Sequence, residues 1–170
     1  MNAEQVLAQF QATGVQTCFH GRHISPQIYA DLNGSNWRLK DYEARDGYKA
    51  LRKILTEGLT QDQVIATVKE SGLRGRGGAG FPTGMKWSFI PQGDGKPHYL
   101  VVNADESEPG TCKDVPLMMA TPHTLVEGGI IASYATRANV APIYCCAVVL
   151  PPHLPLQRSV PRSYLHGPPG

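Results

Sequence analysis

Six glycines lie between Gly72 and Gly84, in the segment Ser71-Gly-Leu-Arg-Gly-Arg-Gly-Gly-Ala-Gly-Phe-Pro-Thr-Gly84. Glycines at this density let the backbone adopt positive φ and come close to a ligand. Successive N–H groups in such a turn form a concavity that favours anions. Arg74, Arg76 and Lys86 add positive charge around it. A phosphate or a flat cofactor is the natural guest. Gly75, Gly77 and Gly80 satisfy G-x-G-x-x-G, but that motif needs a strand before it and a helix opening after it. Here the pattern predicts a helix before the loop, and Pro82-Thr83-Gly84 is expected to delay a following one. The Rossmann reading is therefore set aside. No Gly-Lys-Ser/Thr supports a Walker loop.

A second polar group follows a short apolar run. His98-Tyr-Leu-Val-Val-Asn103 is rich in β-formers and reads as a buried strand. It ends in Asn103-Ala-Asp105-Glu106-Ser-Glu108-Pro-Gly110. Polar groups at a strand's C-terminal end sit where α/β sheets bind ligands. Carboxylates there accept hydrogen bonds from sugar hydroxyls and ring N–H groups.

The elements that must hold these groups are legible in part. Tyr48 to Leu55 has helical spacing of Tyr48, Leu51, Ile54 and Leu55, and Gly58 fits its C-terminal stop. Thr60-Gln-Asp-Gln63 matches a capping box, with Val64, Ile65 and Val68 as the buried stripe through Glu70. Pro122 to Ala138 reads as a helix burying Leu125, Ile130, Ile131 and Tyr134, weakened by Gly128-Gly129. Ile143 to Leu150 reads as one more strand. Ahead of these, Ala3 to Ala12 fits a short helix, and Cys18 to Lys40 is rich in turn residues.

Composition bounds the class. The chain has 170 residues, 16 Lys and Arg against 14 Asp and Glu, and a formal net charge of +2. That balance argues against a nucleic-acid platform. No apolar run approaches the roughly 20 residues of a membrane span. The N-terminus lacks the pattern of a secretory signal. Cys18, Cys112, Cys145 and Cys146 have no metal-ligand spacing, the histidines form no ligand pair, and Cys112 reads as a small buried residue; no metal site is expected. From Val140 onward there is no Asp, Glu or Lys, and seven of the 14 prolines lie there. This acid-free, proline-rich end points to a disrupted reading frame past Asn139 or a damaged gene copy. Translating the encoding DNA in the other frames tests that; it fails if neither frame restores an ordinary pattern.

GLRGRGGAGFPTGMKWSF, then YLVVNADESEPGTCKD, then HTLVEGGIIASYA resemble the flavin-binding subunit of NADH-quinone oxidoreductase, the roughly 51-kDa (F-type) subunit of respiratory complex I. Diaphorase subunits of NAD-linked hydrogenases and formate dehydrogenases are related. The likeness runs from about Tyr48 to about Asn139. It implies an α/β fold with a helical N-terminal lead-in (1–46), a partial FMN- and NADH-binding domain (47–139) and an atypical, aberrant or disordered tail (140–170). It implies that Gly75, Arg76, Gly77, Gly78, Ala79, Gly80, Phe81, Pro82, Thr83 and Gly84 wrap FMN and the nicotinamide nucleotide. Lys86 would meet polar atoms of the flavin, and Phe81 and Phe89 would pack against the adenine of NADH. Asn103, Asp105 and Glu106 would hydrogen-bond the flavin side, with Glu108 near the nucleotide. The implied reaction is hydride transfer from NADH to FMN, then electron transfer to iron–sulfur clusters.

The family chain is more than twice this length. Its segment around Cys-Gly-Glu-Glu and the C-x-x-C-x-x-C that helps hold a [4Fe–4S] centre have no counterpart in this sequence. The resemblance thus leaves three functions open: a truncated NADH dehydrogenase subunit, a fragment unable to retain FMN, and a small anion- or nucleotide-binding module using Arg74, Arg76 and Lys86. Its implied partners are the other subunits of complex I or of a related hydrogenase or formate dehydrogenase. Its implied setting is cytoplasmic, peripheral to the membrane through that complex.

Overall fold

A computed structural model describes residue 28, residues 30–33 and residues 35–144. The Ala3–Ala12 helix, Cys18, Cys145, Cys146 and the proline-rich end beyond 144 lie outside these residues. Among the described residues, six helices and two short strands form an α/β arrangement: α1 Leu39–Glu43, α2 Lys49–Thr56, α3 Gln61–Glu70, α4 Thr83–Ser88, β1 Val102–Asn103, α5 Asp114–Ala120, α6 Pro122–Thr136 and β2 Ile143–Tyr144. The strands are parallel, Val102 opposite Ile143 and Asn103 opposite Tyr144.

The helix boundaries follow local chemistry. Gly58 adopts φ +61°, and the N–H of Leu59 reaches the carbonyl of Ile54 at 3.0 Å. That bond closes α2 in a Schellman turn and drops Leu59 onto Ile54. Two residues on, Thr60 and Gln63 cap each other: Gln63 N–H to Thr60 Oγ1 at 3.3 Å, Thr60 N–H to Gln63 Oε1 at 2.8 Å. α2 and α3 thus follow one another across a short link and contribute Ile54, Val64 and Ile65 to one core.

α6 organises the rest. It packs against α2, α3, α4 and α5. One core joins Ile54, Val64, Ile65 and Ala135, with Leu59, Trp87, Ile131 and Tyr134 against it. Each fully buried branched side chain contributes about 1.5–3 kcal/mol. The Tyr134 hydroxyl donates to the Leu59 carbonyl at 2.6 Å. A second, smaller core holds Ala104 and Met118, with Val115, Leu125 and Ile143 around it.

The buried face of α6 differs from the expected stripe. Pro122, His123, Glu127, Ala132, Ala135 and Thr136 are its buried residues. Ile130 is 44% exposed, while Leu125, Ile131 and Tyr134 are half-buried. Neighbours approach this helix from several sides, so small residues, not one apolar ridge, mark the contacts. A Cβ at Gly128 or Gly129 would meet nothing within 4 Å. Gly128→Ala should therefore stabilise the fold by about 0.5–1 kcal/mol, read as a raised urea midpoint.

The expected buried strand is paired further than its formal two residues. Leu100, Val102 and Ala104 donate to the carbonyls of Val140, Pro142 and Tyr144 at 3.0, 2.9 and 2.7 Å. Asn139 closes the start of the ladder: its N–H meets the His98 carbonyl at 2.8 Å and its Oδ1 accepts the His98 N–H at 2.9 Å. Ala104 is buried beside Met118 and Leu100 and Val102 are half-buried, but Tyr99 and Val101 are each 62% exposed. The run is apolar on both sides, yet helices cover one side alone, so the strand is half-buried. Residues 140–144, where the tail was expected to begin, belong to this pairing.

Candidate functional site

The glycine segment is a closed loop with an open crown. Its base is fastened by Thr83 N–H to the Leu73 carbonyl at 2.8 Å and by Gly75 N–H to the Phe81 carbonyl at 2.9 Å. The Arg74 guanidinium reaches across to the Gly80 carbonyl at 3.0 Å. Gly78 and Gly80 sit at φ +99° and +60°. A Cβ at Gly77, Gly78 or Gly80 would touch nothing within 4 Å. The backbone N–H groups from Arg76 to Gly80 donate to no acceptor among the described residues. Arg76 and Lys86 take part in no ion pair there. The crown therefore presents unused donors beside uncompensated positive charge, the properties of an anion cradle.

α3 precedes the loop, as expected, but α4 follows without delay. Pro82 holds the N-cap position at φ −60°, ψ 117°, and its carbonyl accepts the Lys86 N–H at 3.0 Å, which opens the helix. Gly84 is buried. A Cβ there would lie 2.5 Å from Lys69 N and 2.9 Å from Lys69 Cα. Its lack of a side chain lets α4 press on the end of α3, which is a packing role. Phe81 and Phe89 are brought together, ring centroids 6.3 Å apart at 61°, both exposed.

The acidic turn is ordered by its own side chains. Asn103 Oδ1 accepts the Asp105 N–H at 3.0 Å. The Ser107 hydroxyl lies 2.8 and 2.9 Å from the two Asp105 oxygens. The Glu108 carbonyl accepts the Thr111 N–H at 3.1 Å, and the Glu108 side chain is exposed. Glu106 caps α5. Its carboxylate accepts the N–H groups of Lys113, Asp114 and Val115 at 2.6, 2.9 and 3.0 Å. Burial pushes this carboxyl up. The bonds from Val115, Lys113 and Asp114, with the Lys113 ammonium, outweigh that and hold it below its usual range. A depressed native pKa means stability present above the unfolded value of 4.5 and lost as pH falls through the native one. Glu106→Gln should flatten the loss of thermal stability below about pH 4.5, measured by melting at stepped pH. An undiminished slope would refute that role.

No hydrogen bond, ion pair or ring contact joins residues 73–84 to residues 103–108 among the described residues. Each group is placed by its own helices. Cys112 is exposed, not buried as expected. It sits in the link between the Gly110 turn and α5, outside both cores.

Sequence patterns missed a buried polar cluster behind α2. Glu127, 7% exposed, accepts the Tyr42 hydroxyl at 2.5 Å, the Tyr48 N–H at 2.8 Å and the Leu51 N–H at 3.2 Å. It supplies from α6 the N-terminal cap that α2 lacks locally, since Tyr48 caps with no side-chain bond and lies at φ +60°. The Tyr48 hydroxyl is 2.9 Å from His123 Nδ1, and Tyr42 stacks on His123 at 5.7 Å. Burial, then the bond to Glu127, pushes the Tyr42 phenol far up. Burial also pushes Tyr48 up and His123 down, so a neutral imidazole meets a protonated hydroxyl. The missed signal was a helix start with no Ser, Thr, Asp or Asn to cap it.

Residues 68–148 match the Nuo51 FMN-binding domain family. This span begins and ends later than the likeness read from the motifs. The chain is 61% identical over 132 residues to the F-type subunit of NADH-quinone oxidoreductase of Streptomyces coelicolor, covering 78% of this chain and 29% of that protein. It is 59% identical over 139 residues to the F-type subunit of the same enzyme of Mycobacterium tuberculosis H37Rv, covering 78% and 31%. The chain thus spans about a third of the length of these curated relatives. Among solved structures it is similar to an NAD+-reducing [NiFe]-hydrogenase in the H2-reduced state, with TM-score 0.59 and 29% identity over 94% of this chain and 28% of that one. The glycine loop, α4, β1, the acidic turn, α5 and α6 all fall inside residues 68–148, the span over which the chain is similar to the Nuo51 FMN-binding domain family.

Proposed function

We propose that this chain supplies the glycine-loop wall of an FMN and NADH site in an F-type NADH dehydrogenase subunit. The observation that carries this is the row of undonated N–H groups from Arg76 to Gly80 beneath open space. These residues fit a flavin nucleotide. The N–H row and the Arg76 guanidinium would hold its phosphate, each charged hydrogen bond contributing about 1.5–3 kcal/mol. Glycines without side chains let flat rings lie on the backbone. Lys86 would meet the flavin's polar atoms, and the Phe81–Phe89 pair offers aromatic faces to the adenine of NADH. Asn103 Oδ1 and the Asp105 carboxylate, each already taking one local donor, keep further lone pairs for ribityl hydroxyls or ring N–H groups, and Glu108 would lie near the nucleotide. Glu106 shapes this wall by fixing α5, with its carboxylate already taken by backbone donors. FMN held there would supply hydride-accepting and one-electron-transfer chemistry for NADH oxidation. The protein's task is alignment and exclusion of water. The iron–sulfur ligands and the remaining wall then come from sequence outside these 170 residues, within a larger complex. Among the described residues no helix is long and apolar enough to cross a membrane.

The exposed crown and the unjoined acidic turn favour one second reading, a fragment that binds FMN too weakly to retain it. Purifying the chain with added FMN separates the two. A yellow protein that oxidises NADH with ferricyanide supports the proposal. Arg76→Ala should then weaken FMN binding about 10- to 100-fold. A colourless protein that takes up no FMN rejects it.

A further inference from the structure

Arg74, Arg76 and Lys86 surround the glycine loop, and the proposed function uses only the last two. Arg74 is engaged elsewhere. Its guanidinium donates to the Gly80 carbonyl at 3.0 Å, six positions along the chain. Arg74 also stands opposite Pro82 in an isolated antiparallel bridge. The two backbone ties, Thr83 to Leu73 and Gly75 to Phe81, fasten the base of the loop. Among the described residues, the Arg74–Gly80 contact is the only hydrogen bond made by any of residues 76–80. Three of those five residues are glycines, which lose the most backbone freedom on ordering. A single charge-assisted bond thus restrains a segment that otherwise has none.

The bond has a direction as well as a strength. The C=O and N–H of a trans peptide point to opposite sides. Fixing the Gly80 carbonyl on Arg74 therefore turns the Phe81 N–H away from Arg74. That N–H meets no acceptor among the described residues, so it extends the donor row that runs from Arg76 to Gly80. The same peptide sets the chain direction into Phe81, whose ring centroid lies 6.3 Å from that of Phe89. We propose that Arg74 is a positioning residue: it holds the Gly80–Phe81 peptide so that the donor row and Phe81 are set for a nucleotide, and it does not itself touch that nucleotide. The identity of the nucleotide as FMN rests on the proposed function; the strut across the loop does not.

The test compares the full chain with Arg74→Met, Arg74→Lys and Arg76→Ala. Arg74 is exposed, so its variants should melt like the unmodified chain. Without any ligand, amide exchange at Gly75 and Thr83 should speed up at least about tenfold in Arg74→Met, because the loop base loses its outer support. Arg74→Lys keeps a charged donor on a stem of similar reach and should restore part of that protection. With FMN, Arg74→Met should bind about tenfold more weakly. That ratio should stay the same at low and high ionic strength, since no charge contact to the nucleotide is lost. The loss in Arg76→Ala should instead shrink as salt rises. Unchanged exchange in Arg74→Met, or an FMN loss that fades with salt as it does for Arg76→Ala, would overturn the inference. Should the unmodified chain take up no FMN, the flavin reading falls; faster exchange in Arg74→Met then still upholds the strut, and unchanged exchange overturns it. FMN uptake with equal affinity in Arg74→Met keeps the flavin reading and rejects the positioning role.

Discussion

Replacing Glu127 with alanine should cost the fold about 3–5 kcal/mol. The carboxylate is buried and takes three donors: a phenol from α1, the N-cap N–H of α2 and the N–H of Leu51 one turn on. Alanine removes the acceptor and leaves all three donors. An unsatisfied buried donor costs about 1–3 kcal/mol. The positive φ of Tyr48 is also held in place by this bond, so its strain would be released by local unfolding of the start of α2. A typical domain has about 5–15 kcal/mol in total, so the variant should be partly unfolded near 37 °C. Urea denaturation followed by circular dichroism measures this. Glu127→Gln keeps one oxygen acceptor but aims an amide N–H at backbone donors, so it should fall between alanine and the natural residue. If alanine costs less than about 1 kcal/mol, Glu127 is not the cap described.

The second large effect is at Gly84. A methyl group there meets the backbone of Lys69, not a side chain that can rotate away. α4 must then move off α3, and Trp87 must shift in the core shared by Ile54, Val64 and Ile65. Gly84→Ala should cost about 2–3 kcal/mol and misplace Lys86 and Phe89 together. Gly78→Ala is the contrast. Its Cβ has open space but an unfavourable φ of +99°. It should disturb the crown while leaving the melting midpoint nearly unchanged. Thermal melts of the two variants side by side check the pair; equal destabilisation would contradict it.

These residues show where sequence reasoning reached its limit. The ends of α2 and α3 were legible because Gly58, Thr60 and Gln63 act on neighbours within a few positions. The helix before the glycine loop was legible for the same reason. Glu127 was not, because its partners Tyr42, Tyr48 and Leu51 lie 76–85 positions away. Glu106 was assigned to a ligand, although its nearest donors are the first N–H groups of α5. Gly84 looked like the last of six equivalent glycines, and only the approach of α3 separates it from Gly78. Strand burial was overestimated because an apolar run reports what a sheet can bury, not which faces are covered. The helices α2, α3 and α6 were thus readable from local rules, while α1, α4, α5, the cap from Glu127 and the pairing of His98 with Asn139 were not.

Amide hydrogen exchange of residues 75–84, with and without FMN, tests the central claim most directly. The N–H groups from Arg76 to Gly80 have no acceptor among the described residues and should exchange quickly. Bound to a flavin nucleotide they should slow by at least about tenfold, an effect that inorganic phosphate alone reproduces only in part. Unchanged exchange at saturating FMN, or equal protection by phosphate, would show that the loop does not close around a flavin.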